Sequence, residues 1–293
     1  MYEQLKTFIK LAEVKHFTKT AEILHLSQPS VSLHIKNLEK EFQTKLFIRS
    51  PKELQMTPTG ELLYDRAKKI IALYEQTKQD ILEHHDYVKG TLKIGASFTI
   101  GEYVLPTFLC ALQNDYPELQ LEVIIGNTKE IVELVRTYQT HIGLIEGQTN
   151  EKELMVYPFM RDELVIVASN DHPLAHKQEV SINDLQNQRW ITRELGSGTR
   201  EYFNHFIRSN GLKVKSLMII SSNQGIKETL MHGNGLSLLS RHVIEQELNL
   251  KNLSIVYVKH SPFYRTFSYL YSPTMKNNKL VHLLLDLLQQ KGM

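Results

Sequence analysis

Residues 60–85 contain no proline and no glycine after the first position, so they can form one uninterrupted helix of roughly 26 residues, about 39 Å long at 1.5 Å per residue. A rod of that length is a connector rather than part of a small core, and the hydrophobic period changes across it. The chain must therefore be read as at least two bodies. Its 293 residues, 42% of them hydrophobic and 23% charged, supply material for two or three cores and exclude a wholly disordered, collagen-like or disulfide-stapled chain.

Within the rod, Leu63, Ala67, Ile70, Tyr74, Thr77 and Ile81 are spaced alternately by four and three. That is the 3.5-residue repeat of a coiled-coil seam. The spacing predicts a homodimer through this helix; packing against the chain's own second domain is the alternative. The neighbouring His84 and His85 point in different directions on a helix and have no carboxylate or cysteine frame, so they are read as solvated surface and no metal is expected.

Ahead of the rod, Leu5, Phe8, Ile9, Leu11 and Ala12 mark one buried face of a first helix over residues 2–14. Thr18 is read as the N-cap of a short second helix, and Ser27 as the N-cap of a third, with Pro29 in a first turn where its missing N–H costs nothing. Val31, Ile35, Leu38 and Phe42 form the third helix's expected buried stripe; Gln28, Ser30, Ser32, Leu33, His34, Lys36 and Lys40 lie opposite. This is the helix-turn-helix plan, in which the start of the second motif helix enters a major groove. Gln28 can bond an adenine edge, Ser30 and Ser32 can reach bases or phosphates, and Leu33 can meet a thymine methyl. Residues 46–57 read as a β-hairpin wing, apolar at Leu46, Ile48, Leu54 and Met56, with Arg49 and Lys52 near its tip to meet the nucleic-acid backbone. A helical protein-interaction module is the competing reading of the same pattern.

The overall charge of +2 argues against a strongly basic nucleic-acid binder until it is resolved along the chain. The first 58 residues carry nine Lys/Arg against six Asp/Glu, a net +3, so the remainder is slightly acidic. Phosphate contacts would need positive charge in that first segment.

At this point a resemblance is visible. Phe8, the run from Phe17 to Glu22, Leu26-Ser27-Gln28-Pro29-Ser30-Val31-Ser32, Ile35, Leu38-Glu39, Leu46-Phe47 and Thr57-Pro58-Thr59-Gly60 resemble the winged helix-turn-helix signature of LysR-type transcriptional regulators. One departure stands out: Leu33 and His34 occupy positions where that family often has Arg or Gln, which bears on base preference and not on the mode of binding.

Beyond Gly90 short β-type runs alternate with helical ones, from a strand candidate at residues 91–96 to one at residues 267–271, giving an α/β fold with largely parallel sheets. About 200 residues suit two lobes. An internal echo supports them: strand, hydroxyl-rich loop and helix at residues 92–103 recur at residues 190–202. Both loops sit where a strand's C-terminus meets a helix N-terminus, a place where amides and the helix dipole favour an anion. Ser97, Thr99, Ser197 and Thr199 are the leading ligand candidates, with Arg200 as charge partner; Asn127, Thr128, Glu146, Glu194 and Gln224 lie at further strand ends or in the loops, and Gly196 and Gly198 permit close backbone approach. The competing reading is that these hydroxyls only cap helices.

This region resembles the two-lobed, periplasmic-binding-protein-like effector domain of the LysR family, so the resemblance spans the chain: a winged helix-turn-helix over residues 1–58, a linker and dimerisation helix over 59–89, and an effector domain over 90–293. Lobe I is placed at about 90–161 and 267–293, and lobe II at about 162–266. The stretches 27–44 and 90–103 are most similar to the subgroup that holds sulfur-assimilation and carbon-fixation regulators (CysL- and CbbR-like). The resemblance implies a transcriptional regulator, an activator of sulfur-assimilation or cysteine-pathway genes, binding an interrupted palindrome in double-stranded DNA as a homodimer or homotetramer. Its control would come from a small, anionic metabolite, with no resident cofactor. A regulator of another metabolic operon is the alternative, and an α/β enzyme or solute-binding protein a remote one, since no nucleophile elbow or zinc helix is present. With one cysteine, no basic-apolar leader and no run of about 18 apolar residues, a cytoplasmic protein without a membrane span is expected.

Overall fold

The computed structural model describes residues 1–49, 54–82, 89–147, 149–233, 235–259 and 263–291. They form two compact units, Met1–Asp86 and Tyr87–Met293. Lys52 and the His84-His85 pair lie outside the described residues.

In the first unit, α1 (Tyr2–Val14), α2 (Phe17–Ile23) and α3 (Gln28–Glu41) precede a wing of β1 (Phe47–Arg49) and β2 (Leu54–Met56), and α4 (Pro58–Leu82) follows. Leu5, Phe8, Leu11, Ile35, Leu38, Leu46 and Phe47 make one buried cluster. Thr18 does not cap α2. That helix starts two residues earlier, with His16 as the extended N-cap whose Nδ1 accepts from the Lys19 amide at 3.3 Å, while Phe17 packs against the core. Ser27 does cap α3, accepting from the Ser30 amide at 3.2 Å. Phe42 leaves the expected stripe and is 45% exposed, because it is the C-cap residue where the helix unwinds toward Gln43 at φ 51°. In the wing Leu46, Leu54 and Met56 face the core as expected, but Ile48 is exposed and Phe47 is buried in its place.

The Thr-Pro-Thr-Gly exit is a joint between wing and linker. Thr57 Oγ1 donates to the Lys45 carbonyl at 2.6 Å and accepts from the Gly60 amide at 2.9 Å, and a Cβ on Gly60 would overlap the Leu46 carbonyl oxygen. Glu39 of α3 accepts from the Leu46 amide at 3.0 Å and from Lys45 Nζ at 2.8 Å, fixing the recognition helix to the wing.

The second unit is built on one nine-stranded sheet. Its strands are β3 (Gly90–Ser97), β4 (Leu119–Gly126), β5 (Ile142–Glu146), β6 (Met155–Ser169), β7 (Arg189–Thr192), β8 (Ser216–Ile219), β9 (Leu236–Ser240), β10 (Leu253–Val256) and β11 (Phe263–Tyr271). The order is β4-β3-β5-β11-β6-β9-β7-β8, with β10 on β6. The outer strands pair in parallel as expected, but β6 and β11 are antiparallel to each other, to β5 and to β9 and β10. They are long crossovers that belong to both lobes, and residues 155–163 and 263–266, not expected as strand, are their N-terminal parts.

Lobe I packs α5 (Leu105–Asp115), preceded by a π-helical turn at Ile100–Val104, and α10 (Lys279–Lys291) on one sheet face and α6 (Thr128–Arg136) on the other. Lobe II packs α7 (Gly198–Ser209) on one sheet face, its Phe203 and Phe206 against Trp190, and α8 (Asn223–Met231) and α9 (Arg241–Asn249) on the opposite face. The sequence reading missed α9, whose nine residues are too few to establish a helical period between two strands. No described helix is long and apolar enough to cross a membrane.

Candidate DNA-recognition helix and effector cleft

On α3, Gln28, Pro29, Leu33 and Lys36 are exposed and Ser30 and Ser32 half-buried. Gln28 Nε2 donates to Ser32 Oγ at 3.3 Å, so amide and hydroxyl share one side of the first turn. Leu33 stands 55% exposed beside them, an apolar contact surrounded by donors. The hydroxyls of Ser27 and Ser30 are 2.7 Å apart and belong to the cap. His34 is not free to read bases, because its Nδ1 lies 2.8 Å from Thr7 Oγ1 and ties α3 to α1. Arg49 ends β1.

The linker helix presents a different row from the one expected. Ala67 is fully buried, and Leu63 packs with it in the helix-turn-helix core. The residues left open are Leu62, Ile70, Leu73, Thr77 and Ile81, which fall within a roughly 100° arc of the helix. Tyr74 is half exposed but stacks on Tyr2 with ring centroids 4.6 Å apart, and Tyr2 donates its hydroxyl to Glu75. The helix serves its own domain near its start, so Ile70, Thr77 and Ile81 of the expected seam stay open, while Leu63, Ala67 and Tyr74 are engaged within the domain and Leu62 and Leu73 join the open row instead.

In the second unit the strand ends converge on a buried ionic cluster between the lobes. Arg265 of β11 donates from Nη1 to Glu146 at 2.7 Å and from Nε to Asp162 at 2.6 Å. The same Nη1 lies 2.9 Å from Thr199 Oγ1, and Nη2 lies 3.4 Å from Thr99 Oγ1. Glu146 accepts further from the Thr99 amide at 2.9 Å and from the Thr199 hydroxyl at 2.9 Å. Asp162 accepts from Ser240 at 2.6 Å, with His242 Nε2 at 4.0 Å. Burial pushes the Glu146 carboxyl up, but Arg265 and the two threonines outweigh it and hold it below its ordinary value. Asp162 is raised, because burial there exceeds what Arg265 and Ser240 return.

Thr99, Glu146 and Thr199 thus meet, from both lobes, around a guanidinium that the sequence reading did not single out. The only signal was indirect: Asp162 and Arg265 each lie two residues ahead of an expected strand, and a charge buried in the extension of a strand needs a partner. A second cluster was also missed. Arg193, 1% exposed, chelates Glu194 at 2.8 and 3.0 Å, donates to Asn223 Oδ1 at 3.1 Å, and lies over the Phe98 ring at 4.4 Å.

The other expected ligands have structural duties. Asn127 forms a capping box with Glu130 at the start of α6. Thr128 donates to the Glu146 carbonyl at 3.1 Å. Arg200 is committed to the Arg193 carbonyl at 3.0 Å and to Asn204 at 2.9 Å, so it is not a spare cation. Gln224 points outward and donates to Glu228 at 2.8 Å. Ser197 is the buried N-cap residue of α7 without a capping side-chain bond. Ser97 is 2% exposed with an unpartnered Oγ, as are Thr192 Oγ1 and Asn223 Nδ2. Gly198 does permit close approach, but of the chain itself: a Cβ there would overlap the Glu146 carbonyl oxygen. Gly196, at φ 94°, lets its carbonyl accept from the Lys129 amide at 3.1 Å.

A DNA-reading helix joined to a two-lobed cleft defines a ligand-responsive DNA-binding protein, and comparison with known proteins gives the family. Residues 2–61 match the bacterial regulatory helix-turn-helix protein family of LysR type, and residues 85–292 the LysR substrate binding domain. The chain is 57% identical to the HTH-type transcriptional regulator CysL of Bacillus subtilis over 98% of this chain and 96% of that protein. Among solved structures, full-length OxyR from Pseudomonas aeruginosa superposes with a TM-score of 0.77 at 21% identity, over 99% of this chain and 94% of that one. Full-length CbnR in complex with its target DNA gives 0.72 at 16% identity, over 99% of both chains. The chain belongs to the LysR family of transcriptional regulators, DNA-binding proteins with an effector-binding domain.

Proposed function

We propose that this regulator is a cytoplasmic homodimer, paired through the open row of α4 and assembling further to a tetramer, that activates sulfur-assimilation or cysteine-pathway genes in response to a small anion held between the lobes. It acts by binding and not by turnover. The sulfur reading is supported by the likeness to CysL along nearly the whole chain. The observation that carries the effector reading is the meeting of Thr99 of lobe I and Thr199 of lobe II on one buried guanidinium, Arg265. A ligand that changes contacts at such a joint has a different affinity for each lobe arrangement, and that difference is what shifts a conformational equilibrium. On DNA, the +3 of each N-terminal segment is weak alone, and pairing protomers doubles the positive face and adds effective concentration.

Footprinting on cysteine-pathway promoters and on the protein's own upstream DNA tests this. Protection of two half-sites one or more helical turns apart, altered by a small sulfur-containing or phosphorylated anion, is the expected result. Protection only at promoters of unrelated pathways would favour the reading as a regulator of a different metabolic operon.

A further inference from the structure

The donors that make the cleft suitable for an anion are already engaged by an anion the chain supplies. Glu146 is the last residue of β5 and 2% exposed. One carboxylate oxygen accepts from the Thr99 amide at 2.9 Å, and the other from Thr199 Oγ1 at 2.9 Å and Arg265 Nη1 at 2.7 Å. A backbone N–H, a hydroxyl at a helix N-terminus and a guanidinium are the set that binds a free oxyanion. The contact between Glu146 and Thr199 also joins lobe I to lobe II, and it is reinforced by the Gly196 carbonyl on the Lys129 amide.

Charge makes simple addition of a second anion unfavourable. Arg265 faces two carboxylates, Glu146 and Asp162. The nearest further basic side chain to Asp162 is His242, 42% exposed and 4.0 Å away. Arg193 is held by Glu194, and Arg200 by a carbonyl and an amide. An incoming anion therefore meets a cluster whose single buried cation is already outnumbered, in a place where solvent screens little.

We propose that the Glu146 carboxylate is a built-in competitor for the effector, and that an anionic metabolite acts by displacing it from Thr99, Thr199 and Arg265, replacing a chain-made bridge between the lobes with a ligand-made one. This rests on the effector-cleft reading above. It explains why Thr99, Thr199 and Arg265 are satisfied without a ligand, and it ties effector affinity to lobe geometry: the stronger the bridge, the more ligand is needed to break it. Displacement leaves Arg265 paired with Asp162 and the ligand, the same two-to-one arrangement as before.

The experiment is a calorimetric titration of the full-length protein with sodium sulfate and with phosphate at matched ionic strength, comparing wild type with Glu146→Gln. The amide keeps the size and removes the charge, so Glu146→Gln is expected to bind sulfate at least tenfold more tightly than wild type, with Thr199→Val in the same chain removing most of that gain. Equal or weaker binding by a Glu146→Gln protein with a native melting curve overturns the competitor, and so does a gain that survives Thr199→Val, because the anion is then held elsewhere. Saturable binding of neither anion by either protein overturns the anion-cleft reading itself. If Glu146→Gln fails to fold, Glu146→Asp replaces it: a carboxylate one methylene shorter cannot span Thr99 and Thr199 together and must shift affinity in the same direction by a smaller factor, while unchanged affinity overturns the proposal.

Discussion

Arg265 of β11 stands opposite Asp162 of β6 in the strand register, its Nε 2.6 Å from Oδ2, with both side chains closed to solvent. The pair lies where the two crossover strands pass from one lobe to the other, and it carries Glu146 and Thr99 on one side and Thr199 and Ser240 on the other. A buried ion pair is weak evidence for stability, since desolvation offsets most of the attraction; breaking one is another matter, because it strands a charge. Its value here is geometric, fixing the two lobes about one point.

Arg265→Met should therefore cost about 3–5 kcal/mol, because Glu146 and Asp162 lose their shared cation. Urea denaturation at neutral pH measures it. Adding Asp162→Asn should recover a substantial part of the loss by removing one stranded charge, whereas two independent costs that simply add would mean the side chains do not act as a unit.

Gln28→Ala with Ser32→Ala should abolish sequence-specific DNA binding while leaving the oligomer intact. Each well-placed base contact contributes roughly 1–3 kcal/mol of discrimination, and these two side chains share the exposed first turn of α3. Electrophoretic retardation against specific and scrambled DNA reads the ratio. An unchanged footprint would remove α3 from the groove.

On α4, the open row predicts that Leu62→Lys with Leu73→Lys, the two members of that row outside the expected seam, shifts the protein toward monomer in sedimentation while its helix content is kept. Ala67→Lys should instead unfold the first unit, since Ala67 has no exposed surface. If Ala67→Lys gave a folded monomer and the Leu62/Leu73 change did nothing, the seam first read from the sequence would stand.

What the sequence made legible follows from which interactions are local. The Ser27 cap, the Val31-Ile35-Leu38 stripe and the strand-loop-helix echo depend on residues within a turn or two of each other, and each is in place. The seam was half legible: a 3.5-residue repeat reports that a face is apolar, not whose surface covers it, and Leu63 and Ala67 are covered by α1 and α3 of their own domain. The candidate site was legible at Thr99, Glu146 and Thr199 and not at Arg265, because Arg265 lies 119 residues from Glu146 in the chain and only the crossover topology brings them together. Asn127 and Arg200 were misread for the converse reason, since local partners three or four residues away, or a carbonyl seven away, satisfy them before any ligand can.

His141, just before β5, gives a pH-dependent prediction separate from the cleft. Its Nδ1 accepts from the Lys93 amide at 3.3 Å and its own amide donates to the Lys93 carbonyl at 2.8 Å. Burial, with help from the nearby Lys93 charge, lowers its pKa to about 4. In the unfolded chain the ring takes up a proton from about pH 6.5 downward, so between pH 6.5 and 4 the unfolded state binds protons that the folded state refuses. Stability from this residue is thus fully present above pH 6.5 and is lost as pH falls toward 4. At pH 5 the loss should be roughly 2 kcal/mol, at about 1.4 kcal/mol per pH unit. Urea unfolding at pH 7.5 and pH 5.0 on wild type and His141→Asn isolates it: the asparagine can still accept from Lys93 but does not titrate, so the variant should lose that much less on acidification. Parallel losses in the two proteins would show that the folded chain protonates His141 as readily as the unfolded one.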